Sequence, residues 1–181
     1  MKGGFTHQDS LGISQAYGTT NEQQKQSNQK KHHSQWRFTG ARLLHEEMFD
    51  ASSDQELYQL WINVPSFRKL QAPDVHLLGD DECPKVVLDK ESETVVLAGS
   101  YQGQASQAPI MSDMSIFHVR LQPGNGDNNT SWKYSMPSSF ETAVLYVRQG
   151  SLDIAGTTVP VHHTTYLETS TSSTELVVTP T

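Results

Sequence analysis

His45-Glu46-Glu47 sets a histidine and a carboxylate two residues apart, and on a β-strand that spacing sends both side chains to one face, where they could grip one metal ion. On a helix the two would diverge, and Glu46 points to the opposite face of the strand. Imidazole plus carboxylate, with coordination positions left open for substrate and oxygen, is the donor chemistry of a mononuclear non-haem iron site in an oxygenase. His45 and Glu47 are therefore the candidate metal ligands. The other chemistry-bearing residues read as structural. His32-His33 fall in a polar tract and read as solvated, and His118 occupies the solvent face of a strand. His162-His163 read as a turn or strand-edge pair, and Cys83 beside Pro84 as a loop cysteine rather than a nucleophile. Trp36 and Trp61 read as packing, because large aromatics usually serve burial.

Strands must position this pair, since short segments rich in β-branched and aromatic residues are repeatedly closed by Gly, Pro or Asn. Tyr58 to Val64 alternates up to Pro65. Thr94 to Ala98 stops at Gly99, and Ile116 to Leu121 turns Phe117, Val119 and Leu121 inward and His118 and Arg120 outward. Ala143 to Arg148 and Ser151 to Ala155, joined through Gln149-Gly150, predict a hairpin. His163 to Leu167 and Glu175 to Val178 are further strand candidates, while Ser66 to Gln71 could form one helical turn. The tract from Asn21 to Ser34 has no hydrophobic periodicity and reads as a loop or insertion. Asn128 and Asn129 begin formal glycosylation sequons but read as turn residues. Many closely spaced strands with almost no helix predict an all-β sandwich or barrel, and two such units are expected. Gly79 to Glu93, rich in charge, is the natural connection between them.

The chain has 181 residues and a net charge of -7, which argues against a nucleic-acid surface spread over the protein. One cysteine excludes an intramolecular disulfide framework and fits a reducing compartment. The amino-terminal residues lack the pattern of a secretion signal, and no stretch of roughly 18 apolar residues suggests a membrane span. A nuclear or cytoplasmic location is expected.

The order of residues resembles the pirin family of bicupin proteins. His7-Gln8-Asp9-Ser10-Leu11-Gly12 is similar to the family's His-x-Asp-Ser-Leu-Gly segment, and Gln35-Trp36, Gly40 and Leu43-Leu44-His45-Glu46-Glu47-Met48 match the stretch carrying the second half of the pirin metal site. Leu57 to Pro65 resembles the family's Leu-Gln-Leu-Trp-Val-Asn-Leu-Pro strand. Asp113 to Gly124, Ala143 to Gly150 and Val161-His162-His163-Thr164 resemble strands of the C-terminal cupin. Thr39-Gly40-Ala41-Arg42 stands where the family has Ala-Gly-Arg-Gly.

The resemblance implies a bicupin of two β-barrel or jelly-roll units, with residues 1–88 forming part of the N-terminal cupin and 89–181 part of the C-terminal one. It implies that His45 and Glu47 bind iron, that the family's upstream His-x-His pair is missing, and that the chain is an internal piece with both barrels incomplete. The activity implied is opening of a flavonol such as quercetin by a 2,3-dioxygenase. The alternatives are a nuclear co-regulator that contacts a transcription factor without binding nucleic acid or membrane directly, and an inactive truncated copy.

Overall fold

The computed structural model describes residues 5–17, 32–49, 56–79, 81–123, 131–168 and 175–181. Among them every regular element is a strand except one 3-10 turn at Ser66–Arg68, so the all-β expectation holds. The chain divides into two compact units, Met1–Cys83 with Gln107–Ser112, and Pro84–Ser106 with Asp113–Thr181.

The first unit contains β1 (Phe5–Asp9), β2 (Ser14–Tyr17), β3 (His32–Phe38), β4 (His45–Phe49) and β5 (Asp74–Gly79). One sheet has the order β2-β1-β4, and β3 pairs with β5 in another. Asp9 folds the turn between β1 and β2: its carboxylate accepts the backbone N–H of Leu11 and Ile13, and Gly12 takes φ +85° in the same turn. Ser10 then ties β1 to the approach to β4, its N–H donating to the Leu44 carbonyl and its hydroxyl accepting the Leu44 N–H. Gly40 has φ +54° and lies so close to the Gln71 backbone that a Cβ would collide with it. Arg42 is not among the described non-glycine residues with positive φ, so its bulk is accommodated without left-handed backbone.

The second unit holds β6 (Lys85–Val87), β7 (Glu93–Ala98), β8 (Ser100–Tyr101), β9 (Gln104–Ala105), β10 (Ile116–Arg120) and β11 (Trp132–Ser135). It continues with β12 (Thr142–Tyr146), β13 (Leu152–Ile154), β14 (Thr157–Val159), β15 (Thr164–Glu168) and β16 (Glu175–Pro180). Its sheets run β10-β7-β6 and β11-β16-β13-β14, with β12-β15 and β8-β9 as pairs. Val96, Tyr101, Trp132, Val147, Ile154, Val159 and Val178 form a buried core. Polar tips inside it are satisfied: Trp132 Nε1 donates to Thr94 Oγ1 at 3.0 Å and Tyr134 Oη to Ser115 Oγ at 2.9 Å.

Three sequence expectations are corrected. Ala143 to Ala155 is not a hairpin, because β12 pairs with β15 while β13 pairs with β14 and β16. Gly150 turns the chain at φ +73°, but the strands on either side enter different sheets. The tight hairpin of this region is β13–β14, reversed at Ala155-Gly156, both with positive φ as a type I′ turn demands. Tyr58 to Val64 carries strand-like alternation without strand pairing; only Glu56 makes an isolated bridge, and a strand is completed by its ladder partner. Trp61 in that run is 93% exposed rather than packed, whereas Trp36 is half-buried. Lastly, His32, His33 and Ser34, expected in a loop, belong to β3. The rest of that polar tract and the sequons at Asn128 and Asn129 lie outside the described residues.

Other expectations are met. Thr94 to Ala98 is a strand, Ile116 to Arg120 is a strand with the predicted inward and outward faces, and a short turn forms at Ser66–Arg68.

Candidate metal site

His45 and Glu47 lie on β4, and the antiparallel register pairs Asp9 with His45 and His7 with Glu47 across to β1. Directly opposed residues share a face, as do residues two apart on one strand, so four side chains of ligand type, His7, Asp9, His45 and Glu47, occupy one face of the sheet. The sequence reading found only the β4 half. The signal for the other half was a second His-x-carboxylate, His7-Gln8-Asp9, with the same spacing; its partnership with β4 depends on a pairing that spans 36 to 40 residues of chain.

The four are unequal. His7, on the central strand, is fully buried, Glu47 is mostly buried, and His45 is exposed at the strand end beside a shallow hollow lined by Gln8, Asp9, Ser10, Leu44 and Glu46. His7 Nε2 lies 3.0 Å from Asp9 Oδ2, and its ring stacks on that of His45 with centroids 5.8 Å apart. Burial pushes the Asp9 carboxyl up, but the His7 hydrogen bond, the Ile13 and Leu11 N–H groups and the His7 charge together leave it below the usual carboxylate value. A carboxylate at Nε2 orients the ring and leaves Nδ1 turned inward. Nδ1 lies 3.9 Å from Glu47 Oε1 and has no hydrogen-bond partner among the described residues.

Glu47 is held from two other directions. Arg37 on β3 brings Nη2 to 3.2 Å from Oε1, and Gln59 Nε2 donates to Oε2 at 3.4 Å. Gln35 and Arg37 project from one face of β3, and Gln35 Nε2 and Arg37 Nη1 are buried without hydrogen-bond partners.

Imidazole and carboxylate donors with an unpartnered buried nitrogen among them suit a divalent transition metal such as iron. The described residues nevertheless contain no group of three or more His, Cys, Asp or Glu side chains drawn together closely enough to hold an ion. His162 and His163 offer no second candidate: both are exposed in a turn, His163 Nδ1 is bonded to the Val161 carbonyl at 2.9 Å, and His162 stacks on Tyr146. His118 is exposed on the outer face of β10, as expected. Cys83 is buried, with its sulfur 3.8 Å from Ser34 Oγ.

Two all-β units of short antiparallel strands, one with imidazole and carboxylate side chains on a sheet face, agree with a cupin-type fold. The fold matches that of a quercetin 2,3-dioxygenase from Acinetobacter baumannii, with TM-score 0.78 and 21% identity over 99% of this chain and 58% of that one. The chain is 29% identical to a pirin-like protein of Solanum lycopersicum over 166 residues, covering 90% of this chain and 50% of the relative. It is also 29% identical to human pirin over 139 residues, covering 74% of this chain and 45% of that protein. No family model matches it. These likenesses support an assignment to the pirin and cupin family. The chain spans about half the length of the curated pirins it matches. Among the described residues no helix is long and apolar enough to cross a membrane.

Proposed function

We propose that this chain is a pirin-type iron-binding protein in which His45 and Glu47 are metal ligands, with a flavonol such as quercetin as the class of substrate for a 2,3-dioxygenase reaction. The observation that supports this best is the β1–β4 register, which puts His45, Glu47 and the unpartnered Nδ1 of His7 on one sheet face. Bound iron would supply a Lewis-acidic, redox-active centre for the substrate oxygen. The chain's own residues do the rest. Asp9 holds the His7 ring in orientation, so that Nδ1 faces Glu47. Gln59 and Arg37 restrain the Glu47 carboxylate. His45, exposed at the strand end, is the ligand a substrate could approach from solvent.

Metal analysis of the purified protein tests the reading, with stoichiometric iron expected in the wild type and its loss in His45→Ala. Oxygen uptake with quercetin then tests the catalytic step. Absence of iron binding under anaerobic reconstitution would sink the proposal.

A second reading is a nuclear co-regulator that binds a transcription factor and turns nothing over. What favours it is the exposed apolar run containing Tyr58, Leu60, Trp61 and Ile62, followed by exposed Phe67 and Leu70, since contiguous apolar surface commonly marks a protein-binding site. Iron binding without quercetin-dependent oxygen uptake would favour this reading over the enzyme.

A further inference from the structure

We propose that Arg37 is a resident counter-cation of Glu47 that competes with a divalent metal and sets how tightly this site binds one. The inference rests on the metal reading above and adds a residue to it. Arg37 Nη2 sits 3.2 Å from Oε1, the same Glu47 oxygen that faces His7 Nδ1 across 3.9 Å. His7 Nδ1 and Glu47 Oε1 face each other without a hydrogen bond between them, and a carboxylate oxygen beside an unpartnered ring nitrogen is a place that suits a cation. The guanidinium answers half of that demand. It neutralises Glu47 and leaves His7 Nδ1 without a partner.

The contact is held from β3 rather than by a mobile surface group. Arg37 and Glu47 side chains are 19% and 14% exposed, so water screens them poorly. A divalent ion at Glu47 would meet a fixed positive charge within a few ångströms, and the guanidinium, always protonated, cannot relieve the conflict by losing its proton. Arg37 must swing away or remain as a repulsive neighbour. Its second terminal nitrogen, Nη1, is buried without a hydrogen-bond partner, so this face of β3 does not anchor the guanidinium through that atom.

The test is binding of Co2+ and anaerobic Fe2+ to the whole chain, read by calorimetry and by the visible absorption of bound Co2+, for wild type, Arg37→Met, Arg37→Gln and Arg37→Lys. The neutral variants should bind at least about 10-fold more tightly than wild type, while Arg37→Lys stays close to it. The gain should vanish when Glu47→Gln is added. Arg37→Gln serves in case Arg37→Met does not fold, with circular dichroism and melting as the folding check. Stoichiometric wild-type binding that is unchanged or weakened in the neutral variants would overturn the role of Arg37 and leave the metal site standing. No binding by any folded variant would overturn both.

Discussion

The two units use their interiors differently. In the second, an apolar cluster built around Val96, Trp132, Val147 and Val178 forms the core, and the polar groups buried with it, Thr94 and Ser92 among them, find partners within the unit. In the first, the largest fully buried side chain is His7, and buried nitrogens of His7, Gln35 and Arg37 have no hydrogen-bond partner among the described residues. Leaving such groups unsatisfied costs about 1–3 kcal/mol each, so the first unit carries a stability penalty that the second avoids. Unpartnered polar groups gathered in one unit, on β1 and β3, are what a binding site requires and a scaffold does not. The contrast separates a unit that could do chemistry from one whose described side chains mainly pack.

Trp132→Ala should break the comparison most forcefully. Removing a buried tryptophan typically costs about 3–5 kcal/mol, read as a lowered urea midpoint with loss of near-ultraviolet circular dichroism. A loss below about 1 kcal/mol would show that the second unit is not the better-packed one. His7→Ala should cost less, about 1–3 kcal/mol, because Asp9 loses its partner while the unpaired Nδ1 disappears with the ring. A larger loss than for Trp132→Ala would reverse the ranking.

Acid should act on the first unit through Asp9. Its folded pKa lies below the ordinary 3.8, so its contribution to stability is complete above that value and is lost as pH falls through the lower folded value. Comparing melts of wild type and Asp9→Asn below pH 3.8 should show the difference between them shrinking as pH falls; a constant difference would exclude this linkage. The smallest effect on stability is expected for His45→Ala, within about 0.5 kcal/mol because the side chain is exposed. On the proposed metal reading, its iron content should nevertheless fall to background. Retained iron would remove His45 from the ligand set.

Much of this was legible in the sequence where local pattern and tertiary partner agree. Thr94 to Ala98 is a short β-branched and apolar run stopped by Gly99, which takes φ +72°, so the strand and its end could both be read. Where the pattern needs a distant partner, reading failed. Tyr58 to Val64 alternates as well as any strand in the chain yet finds no ladder, and the segment after Gly150 joins β14 and β16 instead of turning back on β12. The candidate site divides the same way. The His45–Glu47 spacing is local, but pairing with His7 and Asp9 follows from sheet register, and the approach of Arg37 requires two different sheets to meet. Sequence spacing carries no information about that last distance.

The three tryptophans, one half-buried in β3 next to Arg37, one almost free in solvent and one sealed in the second unit's core, give the molecule an internal set of optical reporters. Iodide should quench Trp61 emission first and leave the bluer Trp132 signal nearly intact. Trp36, one residue from Arg37, is placed to register any displacement of that side chain, so fluorescence can follow events in each unit without an added label.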